Sequence, residues 1–245
     1  YMSSTFFISY FMSIASNMST FKENFSINLD FLKSKSPPLI GIDISSSSVK
    51  MVELSHVGKG NQLYRMERYV IESIPAEAVT EGNIVNMEVV SECLQRGWRR
   101  MGTRLKNVSL ALPITDVITK RINVPAGQRE DDLVFQVENE ASQYIPFSLD
   151  EVDLDFQVVG PTAENSDEVE VLIAASRKEK VEDRVAVALS AGLKTLVMDI
   201  EPYAAQSAFE LALSQLPDGG KNQIIALVDI GSTTIKMNVF YNSES

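Results

Sequence analysis

One short segment occurs twice in this chain, and the repetition constrains the fold more than any other feature. The first copy reads GIDISSSSVKMVEL from Gly41, and the second reads VDIGSTTIKMNVF from Val228. The copies align without a gap, with Asp43 on Asp229. Each has an apolar strand that ends near an aspartate, a turn of small hydroxyl residues, and a return strand with a lysine near its start. This pattern predicts two equivalent β-hairpins.

The two predicted turns are suited to bind an anion. A turn built from Ser, Thr and Gly leaves backbone N–H groups uncovered and adds hydroxyl donors, which together can cradle a phosphate. Two ordinary hairpins with solvated tips are the alternative interpretation. The candidate phosphate-binding residues are Ser45, Ser46, Ser47 and Lys50 in the first copy, and Gly231, Ser232, Thr233, Thr234 and Lys236 in the second.

The two aspartates, Asp43 and Asp229, are flanked by apolar strand residues. Burial of an unpaired carboxylate costs several kcal/mol, so each one is expected to have a partner. The partner is either the lysine of the return strand or a hydrated Mg²⁺ ion held near phosphates. Both aspartates are therefore candidate metal-binding residues.

The pair of hairpins resembles the phosphate-1 and phosphate-2 loops of the actin-like ATPase superfamily, which includes actin, FtsA and the sugar kinases. Within it, residues 36–50 resemble most the PilM family of cytoplasmic type IV pilus assembly proteins. The resemblance covers residues 31–240 approximately. It implies an α/β, actin-like (ribonuclease H-like) domain with an inserted 1C subdomain of the FtsA and PilM type, and only the beginning of the second large domain.

The resemblance also implies a domain organisation. The N-terminal tail is expected to be disordered or non-native, and its apolar run at residues 6–15 is too short to span a bilayer. The expected segments are the tail (1–36), the first part of domain 1A (37–75), the inserted 1C-like subdomain (76–160), the remainder of domain 1A with a connecting helix (161–222), and the start of the second domain (223–245).

The segment MDIEPYAA from Met198 places an acid at a strand-to-helix junction. It matches the connect-1 motif of the superfamily, which implies that Glu201 orients the attacking water beside the γ-phosphate. Asp199 is a rival for this role. A favourable position of Glu201 in the first turn of the helix is the purely structural alternative.

The resemblance implies ATP and Mg²⁺ as cofactors, with at most a weak ATPase activity. In the family, the adenine and ribose are held beyond the second hairpin, where this sequence ends, and neither GxxxxGK[ST] nor GxGxxG occurs elsewhere in it. We therefore expect weak or absent ATP binding by this chain. The sequence also predicts an exposed apolar face on the last hairpin.

Composition limits the partners and the compartment. A net charge of −11 argues against nucleic acid, which requires clustered Lys and Arg. The single cysteine, Cys93, excludes an internal disulfide and suits a reducing cytoplasm. The resemblance implies docking of the N-terminal peptide of PilN and contact with other pilus inner-membrane proteins. It implies a cytoplasmic location at the inner face of the bacterial inner membrane, reached through partners, and is compatible with self-association.

Three other functions are compatible with parts of this pattern. An FtsA-like division adaptor requires a C-terminal amphipathic helix, and a small-molecule kinase requires a catalytic base and a sugar pocket; neither feature is evident. A nucleotide-independent peptide-binding module is favoured by Ser45, which stands where the second copy has Gly231. If that position needs a positive φ, Ser45 strains the first turn.

The remaining elements follow from periodicity. Strands come first and alternate with helices later, which predicts a mixed sheet. The acids between residues 150 and 170 are interpreted as a solvated sheet edge, with a basic partner surface as the alternative. His56 is expected in a surface turn. Helices are predicted at Met87–Met101, Asp131–Tyr144, Arg177–Ala191 (capped by Ser176) and Pro202–Leu216; strands are predicted at Gln62–Ile74, Asn107–Leu112, Val117–Val124, Val152–Val159, Val169–Ala175, Leu193–Ile200 and Gln223–Asp229. The strands Val152–Val159 and Val169–Ala175 alternate and are predicted to pair across the polar loop between them.

Overall fold

The computed structural model describes residues 37–57, 63–162, 167–213, 216–220 and 222–241. Within them the chain forms two compact units. The smaller unit runs from Leu112 to Asp183, and the larger unit contains the described residues on either side of it. The predicted N-terminal tail, residues 1–36, lies outside the described residues. The predicted boundaries of the inserted subdomain stay a prediction.

The described elements follow the mixed order expected from the sequence. They are β1 (Ile40–Ile44), β2 (Ser48–Val57), β3 (Leu63–Ser73), β4 (Val79–Thr80), β5 (Asn83–Ile84), α1 (Met87–Met101), β6 (Asn107–Leu112), β7 (Val117–Pro125), α2 (Glu130–Tyr144), β8 (Val152–Pro161), β9 (Glu168–Arg177), α3 (Lys178–Ser190), β10 (Lys194–Ile200), α4 (Glu201–Leu213), β11 (Ile224–Ile230) and β12 (Ile235–Tyr241).

The larger unit contains a five-stranded mixed sheet in the order β10-β6-β1-β2-β3. Strands β1, β2 and β3 are antiparallel, whereas β6 pairs with β1 in parallel. One face of β1 and β2 is buried and packs near α1. There Gly97 allows a close approach, because a Cβ at that position would lie 3.3 Å from the Cε atom of Met51.

Helix α1 begins and ends at the predicted residues. The Asn86 Oδ1 atom accepts a hydrogen bond from the Val89 N–H at 3.1 Å, and Gly102 ends the helix with φ 65°. Cys93 is fully buried on the inner face of this helix. The Trp98 Nε1 atom donates to the Leu105 carbonyl at 2.8 Å, so this side chain fixes the loop after the helix.

The smaller unit is a three-stranded antiparallel sheet in the order β7-β9-β8, with α2 packed on one face. The predicted pairing of the β8 and β9 segments is confirmed. Strand β8 lies at the edge, but Asp153 and Asp155 are not fully solvated there. Burial raises the pKa of both carboxyl groups, so the interpretation as a solvated edge is wrong for these two acids, whereas Asp150, Glu151 and Asp167 are exposed.

Two local predictions are also corrected. Strand β9 continues to Arg177, and the Ser176 hydroxyl donates to the Asp116 carbonyl at 2.8 Å, so Ser176 does not cap α3. His56 lies in β2 rather than in a turn, with its ring 4.4 Å from that of Tyr64. Helix α4 begins at Glu201, and part of its predicted C-terminal end lies outside the described residues.

The second hairpin, β11–β12, forms a separate two-stranded sheet in the larger unit. Phe240 on one face is fully buried and stacks on Phe209 of α4 at 5.1 Å. The opposite face carries large apolar side chains that are exposed, as the sequence predicts. In the part of the chain that the structure describes, every helix is too short or too polar to cross a membrane.

Candidate phosphate-binding site

The two copies of the repeated sequence form the same turn. In the first, the Ser45 N–H donates to the Ser48 carbonyl at 3.0 Å; in the second, the Gly231 N–H donates to the Thr234 carbonyl at 2.9 Å. Each turn ends where the lysine of the return strand lies opposite the aspartate of the first strand, in the pairs Asp43–Lys50 and Asp229–Lys236. The two repeated sequence segments therefore adopt the same local structure.

The tips of the two turns meet. The Ser46 hydroxyl lies 3.0 Å from the Ser232 hydroxyl and 3.0 Å from that of Thr233, across a separation of 186 and 187 residues. Ser232 and Thr233 are exposed, and Ser46 is half-buried. The fold thus brings three hydroxyl groups together at one accessible point.

The expected strain at Ser45 is absent. Neither Ser45 nor Gly231 has a positive φ among the described residues. The two turns differ instead in whether they leave room for a side chain at this position. A Cβ atom at Gly231 would lie 2.9 Å from the Thr234 carbonyl oxygen, whereas the Ser45 hydroxyl fits its own turn and donates to the Ser48 carbonyl at 3.0 Å.

Asp43 has the lysine partner predicted for it, but it is not buried. Its Oδ2 atom accepts a hydrogen bond from Lys50 Nζ at 2.7 Å, and its side chain is 47% exposed. Alternation along β1 explains this exposure, because Ile42 and Ile44 point into the core and Asp43 points to the opposite face. The expected cost of burying this carboxylate therefore does not arise.

The second aspartate has a different arrangement. Asp229 is exposed and lies opposite Lys236 in the strand register, but the Lys236 ammonium binds the carboxylate of Glu201 instead. Glu201 is the first residue of α4, and its side chain is 18% exposed. The structure thus places Glu201 beside the second hairpin, where Lys236 is its partner. Sequence spacing did not reveal this pair.

The charges of the two hairpins act on each other. The pKa of Lys50 is raised, first by its hydrogen bond to Asp43 and further by the negative charges of Asp229 and Glu201. Two lysines and three carboxylates therefore share this region. Lys50 therefore stays protonated at neutral pH, which suits it to neutralise a bound polyanion.

The residues present fit a phosphate group better than a bare metal ion. Hydroxyls, turn amides and two ammonium groups are phosphate ligands. Among the described residues, no group of three or more His, Cys, Asp or Glu side chains is close enough to hold a metal ion. Asp43 and Asp229 nevertheless fit a hydrated Mg²⁺, which commonly takes only one or two carboxylates and completes its shell with water and phosphate oxygens.

Asp199, the rival acid, lies at the end of β10 near the site. Its Oδ1 atom accepts a hydrogen bond from the Ile200 N–H at 2.7 Å, and desolvation raises its pKa to about 6. A carboxyl group with this pKa is partly protonated near neutral pH. Asp199 and Glu201 therefore differ in environment, since Glu201 pairs with a lysine and Asp199 is held in an apolar setting.

The chain is similar to known proteins in sequence and in fold. Residues 41–245 match the family described as type IV pilus assembly protein PilM. The chain belongs to the PilM family. It is also similar to a solved PilM–PilN type IV pilus biogenesis complex, at 26% identity and a TM-score of 0.70 over 85% of this chain. The α/β fold is therefore the actin-like fold of PilM.

The match covers only part of the solved relative, since the chain spans 59% of that chain's length. A second similar structure is the cytoplasmic domain of EpsL, an inner membrane component of the type II secretion system of Vibrio cholerae. It is 12% identical, with a TM-score of 0.38 over 66% of this chain and 57% of that one. This second likeness is too low to support an argument.

Proposed function

We propose that this chain is an actin-like, ATP-binding scaffold of type IV pilus assembly, in which the two hairpin turns hold the phosphates of one nucleotide. The observation that carries the proposal is the contact of Ser46 with both Ser232 and Thr233 at 3.0 Å. Two equivalent donor turns that meet tip to tip can surround a polyphosphate from both sides. A single solvated hairpin tip would present donors from one side only.

Each group has a defined part in binding. Amide and hydroxyl donors of the turns bind phosphate oxygens, while Lys50 and Lys236 neutralise their charge. Asp43 and Asp229 would hold the hydration shell of Mg²⁺, which would neutralise part of the phosphate charge. Lys50 pairs with Asp43 and Lys236 pairs with Glu201, so each lysine must leave its carboxylate to reach a bound phosphate.

The arrangement favours nucleotide binding over turnover. A water-orienting carboxylate must accept a hydrogen bond from the attacking water, and the Glu201 carboxylate instead accepts one from Lys236. Hydrolysis thus depends on Lys236 moving to a phosphate and releasing Glu201. We expect at most a slow ATPase, which the Glu201→Gln variant would reduce without weakening nucleotide binding.

The proposed partner is the cytoplasmic N-terminal peptide of a PilN-like inner-membrane protein. The support is the similarity to PilM in a PilM–PilN complex. Through this partner, and through other proteins of the pilus inner-membrane complex, the protein would lie in the cytoplasm at the inner face of the membrane. A pull-down with the PilN N-terminal peptide, against a scrambled peptide of the same composition, tests this assignment.

The nucleotide site is tested by calorimetric titration of Mg-ATP into this chain and, in parallel, into the whole gene product. Ser46→Ala removes the hydroxyl shared by the two turns, and we expect its affinity to fall about tenfold, the loss of roughly one charge-assisted hydrogen bond. Asp229→Ala should abolish the Mg²⁺ dependence of binding. Ser142→Ala in α2 is the matched control. If the whole gene product binds no nucleotide, the proposal is wrong.

A second candidate function is a peptide-binding module that does not use nucleotide. It is favoured by the two ion pairs, Asp43–Lys50 and Glu201–Lys236, which satisfy the charges of the site without a ligand. Under this alternative, the affinity for the PilN peptide is the same with and without Mg-ATP. A nucleotide-dependent change in peptide affinity would support the first proposal.

A further inference from the structure

The outer face of β2 and β3 carries an apolar stripe exposed to solvent. It consists of Leu54 on β2 and Tyr64, Met66, Tyr69 and Ile71 on β3, with exposures between 42% and 66%. On the opposite face of the same strands, Met51 and Val70 are buried beside α1. The two strands therefore have apolar groups on both faces, and only one face is covered by the described chain.

A β-bulge makes this stripe continuous. Glu53 pairs with Arg68, but the next residue, Leu54, pairs with Met66, so Glu67 has no partner residue in the register. Because side chains alternate along a strand, the extra residue moves Met66 and Tyr64 to the face that carries Tyr69. Without the bulge, these two side chains would point toward the α1 side. The stripe is thus a property of the strand geometry as well as of composition.

The stripe lies along an unpaired sheet edge. Strand β3 is the last strand in the order β10-β6-β1-β2-β3 and is 11 residues long. The outer side of an edge strand presents unpaired N–H and C=O groups that can accept another strand. Exposed apolar patches beside such an edge mark interaction surfaces.

We propose that a second copy of this chain pairs with β3 in antiparallel orientation, about a two-fold axis at Tyr69. In this register Tyr69 lies opposite Tyr69 of the second copy, and Met66 lies opposite Ile71 of the second copy. Arg65 lies opposite Glu72 of the second copy. The bulge residues Glu67 and Arg68 together lie opposite one residue, Val70, which is the arrangement that a bulge adopts in an antiparallel pair.

Self-complementarity identifies the occupant as a second copy. On the exposed face the register places Tyr69 on Tyr69 and Met66 on Ile71, and on the opposite face it places Arg65 on Glu72. Val70 lies opposite the bulge residues. A shift by two residues in either direction removes the Arg65–Glu72 pairing. Both side chains already have partners within one copy, since Arg65 binds Glu67 and Glu72 is bound by Arg96 and Arg100. The charge pair therefore selects the register more than it adds affinity.

The expected assembly is a concentration-dependent dimer. Five large apolar side chains from each copy contribute, but a stable interface needs about 1,200–2,000 Å² of buried surface, more than the pairing of two edge strands commonly buries. We therefore expect reversible association in sedimentation velocity, with the weight-average mass rising toward twice the monomer mass as the concentration increases.

Two variants test the surface. Tyr69→Lys places two ammonium groups opposite each other on the axis, so we expect dimerisation to weaken at least tenfold. Phe135→Lys, on an exposed position of α2, is the control and should leave dimerisation unchanged. Met237→Lys tests the exposed face of the second hairpin as the competing interface. If Met237→Lys abolishes association and Tyr69→Lys does not, or if the chain stays monomeric at all concentrations, the proposal is wrong.

Cross-linking tests the register independently of affinity. Opposite residues of an antiparallel pair have Cα atoms roughly 4.5–5.5 Å apart, which suits a disulfide bond. We expect Tyr69→Cys to form a covalent dimer under mild oxidation, and Leu54→Cys, on the neighbouring strand, to form little. Cys93 is buried and present in every variant, so any cross-linking through it is the same background signal in each. Equal cross-linking of both variants would contradict the register.

Discussion

The two hairpins share their sequence and their turn, but they differ completely in burial. Four equivalent apolar side chains are at most 6% exposed in the first hairpin and at least 50% exposed in the second. The first hairpin lies in the centre of a five-stranded sheet beside α1, whereas the second is a separate pair of strands. The matched pairs are Ile42 and Val228, Ile44 and Ile230, Val49 and Ile235, and Met51 and Met237.

This difference separates what a local sequence determines from what its neighbours determine. The same turn hydrogen bond forms in both copies, because it depends only on residues within the turn. Burial depends on α1, which belongs to no repeated segment. Each large apolar side chain contributes roughly 1.5–3 kcal/mol when fully buried. The first hairpin is therefore part of the core, and the second keeps an apolar face available for a covering element.

The largest expected effect comes from matched truncations at Met51 and Met237. Met51→Ala removes a buried side chain that packs on Gly97 and should lower the free energy of unfolding by about 2–5 kcal/mol. Met237→Ala, at 65% exposure, should change it by less than about 0.5 kcal/mol. Urea denaturation of both variants checks this contrast. Equal losses would show that the second face is covered in solution.

The next largest effect is expected at Asp199, which lies just before helix α4. Its folded-state pKa of about 6 lies above the ordinary value, so the folded protein binds the proton more tightly and loses stability as the pH rises from about 4 to 6. Asp199→Asn removes this penalty. We expect the variant to be more stable than the parent by about 2–3 kcal/mol at pH 7.5 and no more stable at pH 4. Thermal unfolding at both pH values measures the difference.

A smaller effect should appear on exchanging the turn residues. Gly231→Ser forces a Cβ atom against the Thr234 carbonyl, so the turn hydrogen bond of the second hairpin should weaken by about 1–2 kcal/mol. Hydrogen exchange at the residue 231 amide should accelerate roughly tenfold or more. Ser45→Gly in the first turn should cost about 0.5–1 kcal/mol, from backbone entropy and a lost hydroxyl contact. Unchanged exchange in Gly231→Ser would show that the two turns are interchangeable.

The smallest effect on stability should come from the exposed ion pair of the first hairpin. Asp43→Asn removes the charge that Lys50 binds, and pairs with both side chains about half exposed contribute less than about 1 kcal/mol. Chemical denaturation should therefore barely distinguish this variant from the parent. A loss much larger than this would assign Asp43 a structural role and weaken its assignment to Mg²⁺.

Periodicity and local motifs predicted most of the fold. Helix α1 was predicted from the periodicity of its apolar residues, and its observed ends coincide with the cap residues Asn86 and Gly102. The strand pairing of β8 with β9 followed from alternation across a polar loop. Ser176 was misassigned as a cap, because the sequence does not show that β9 continues through it to Arg177.

The sequence predicted the two turns but not the contacts between them. The repeat identified the turns, yet the meeting of Ser46 with Thr233 depends on how β11–β12 lies against the rest of the larger unit. The Lys236–Glu201 pair links two elements through tertiary packing, which no local pattern encodes. The burial predicted for Asp43 was wrong. Its sequence neighbours are apolar, but side chains alternate along β1, so Asp43 points to the face opposite these neighbours.

The central claim is that the two turns act as one phosphate site, and a double-mutant cycle on Mg-ATP affinity tests it most directly. Ser46→Ala, Thr233→Val and the double variant of the whole gene product are titrated with Mg-ATP under one salt condition. If both hydroxyls hold one nucleotide, the two losses are non-additive by at least about 0.5 kcal/mol. Strictly additive losses, or the same affinity in all four proteins, would contradict a shared site.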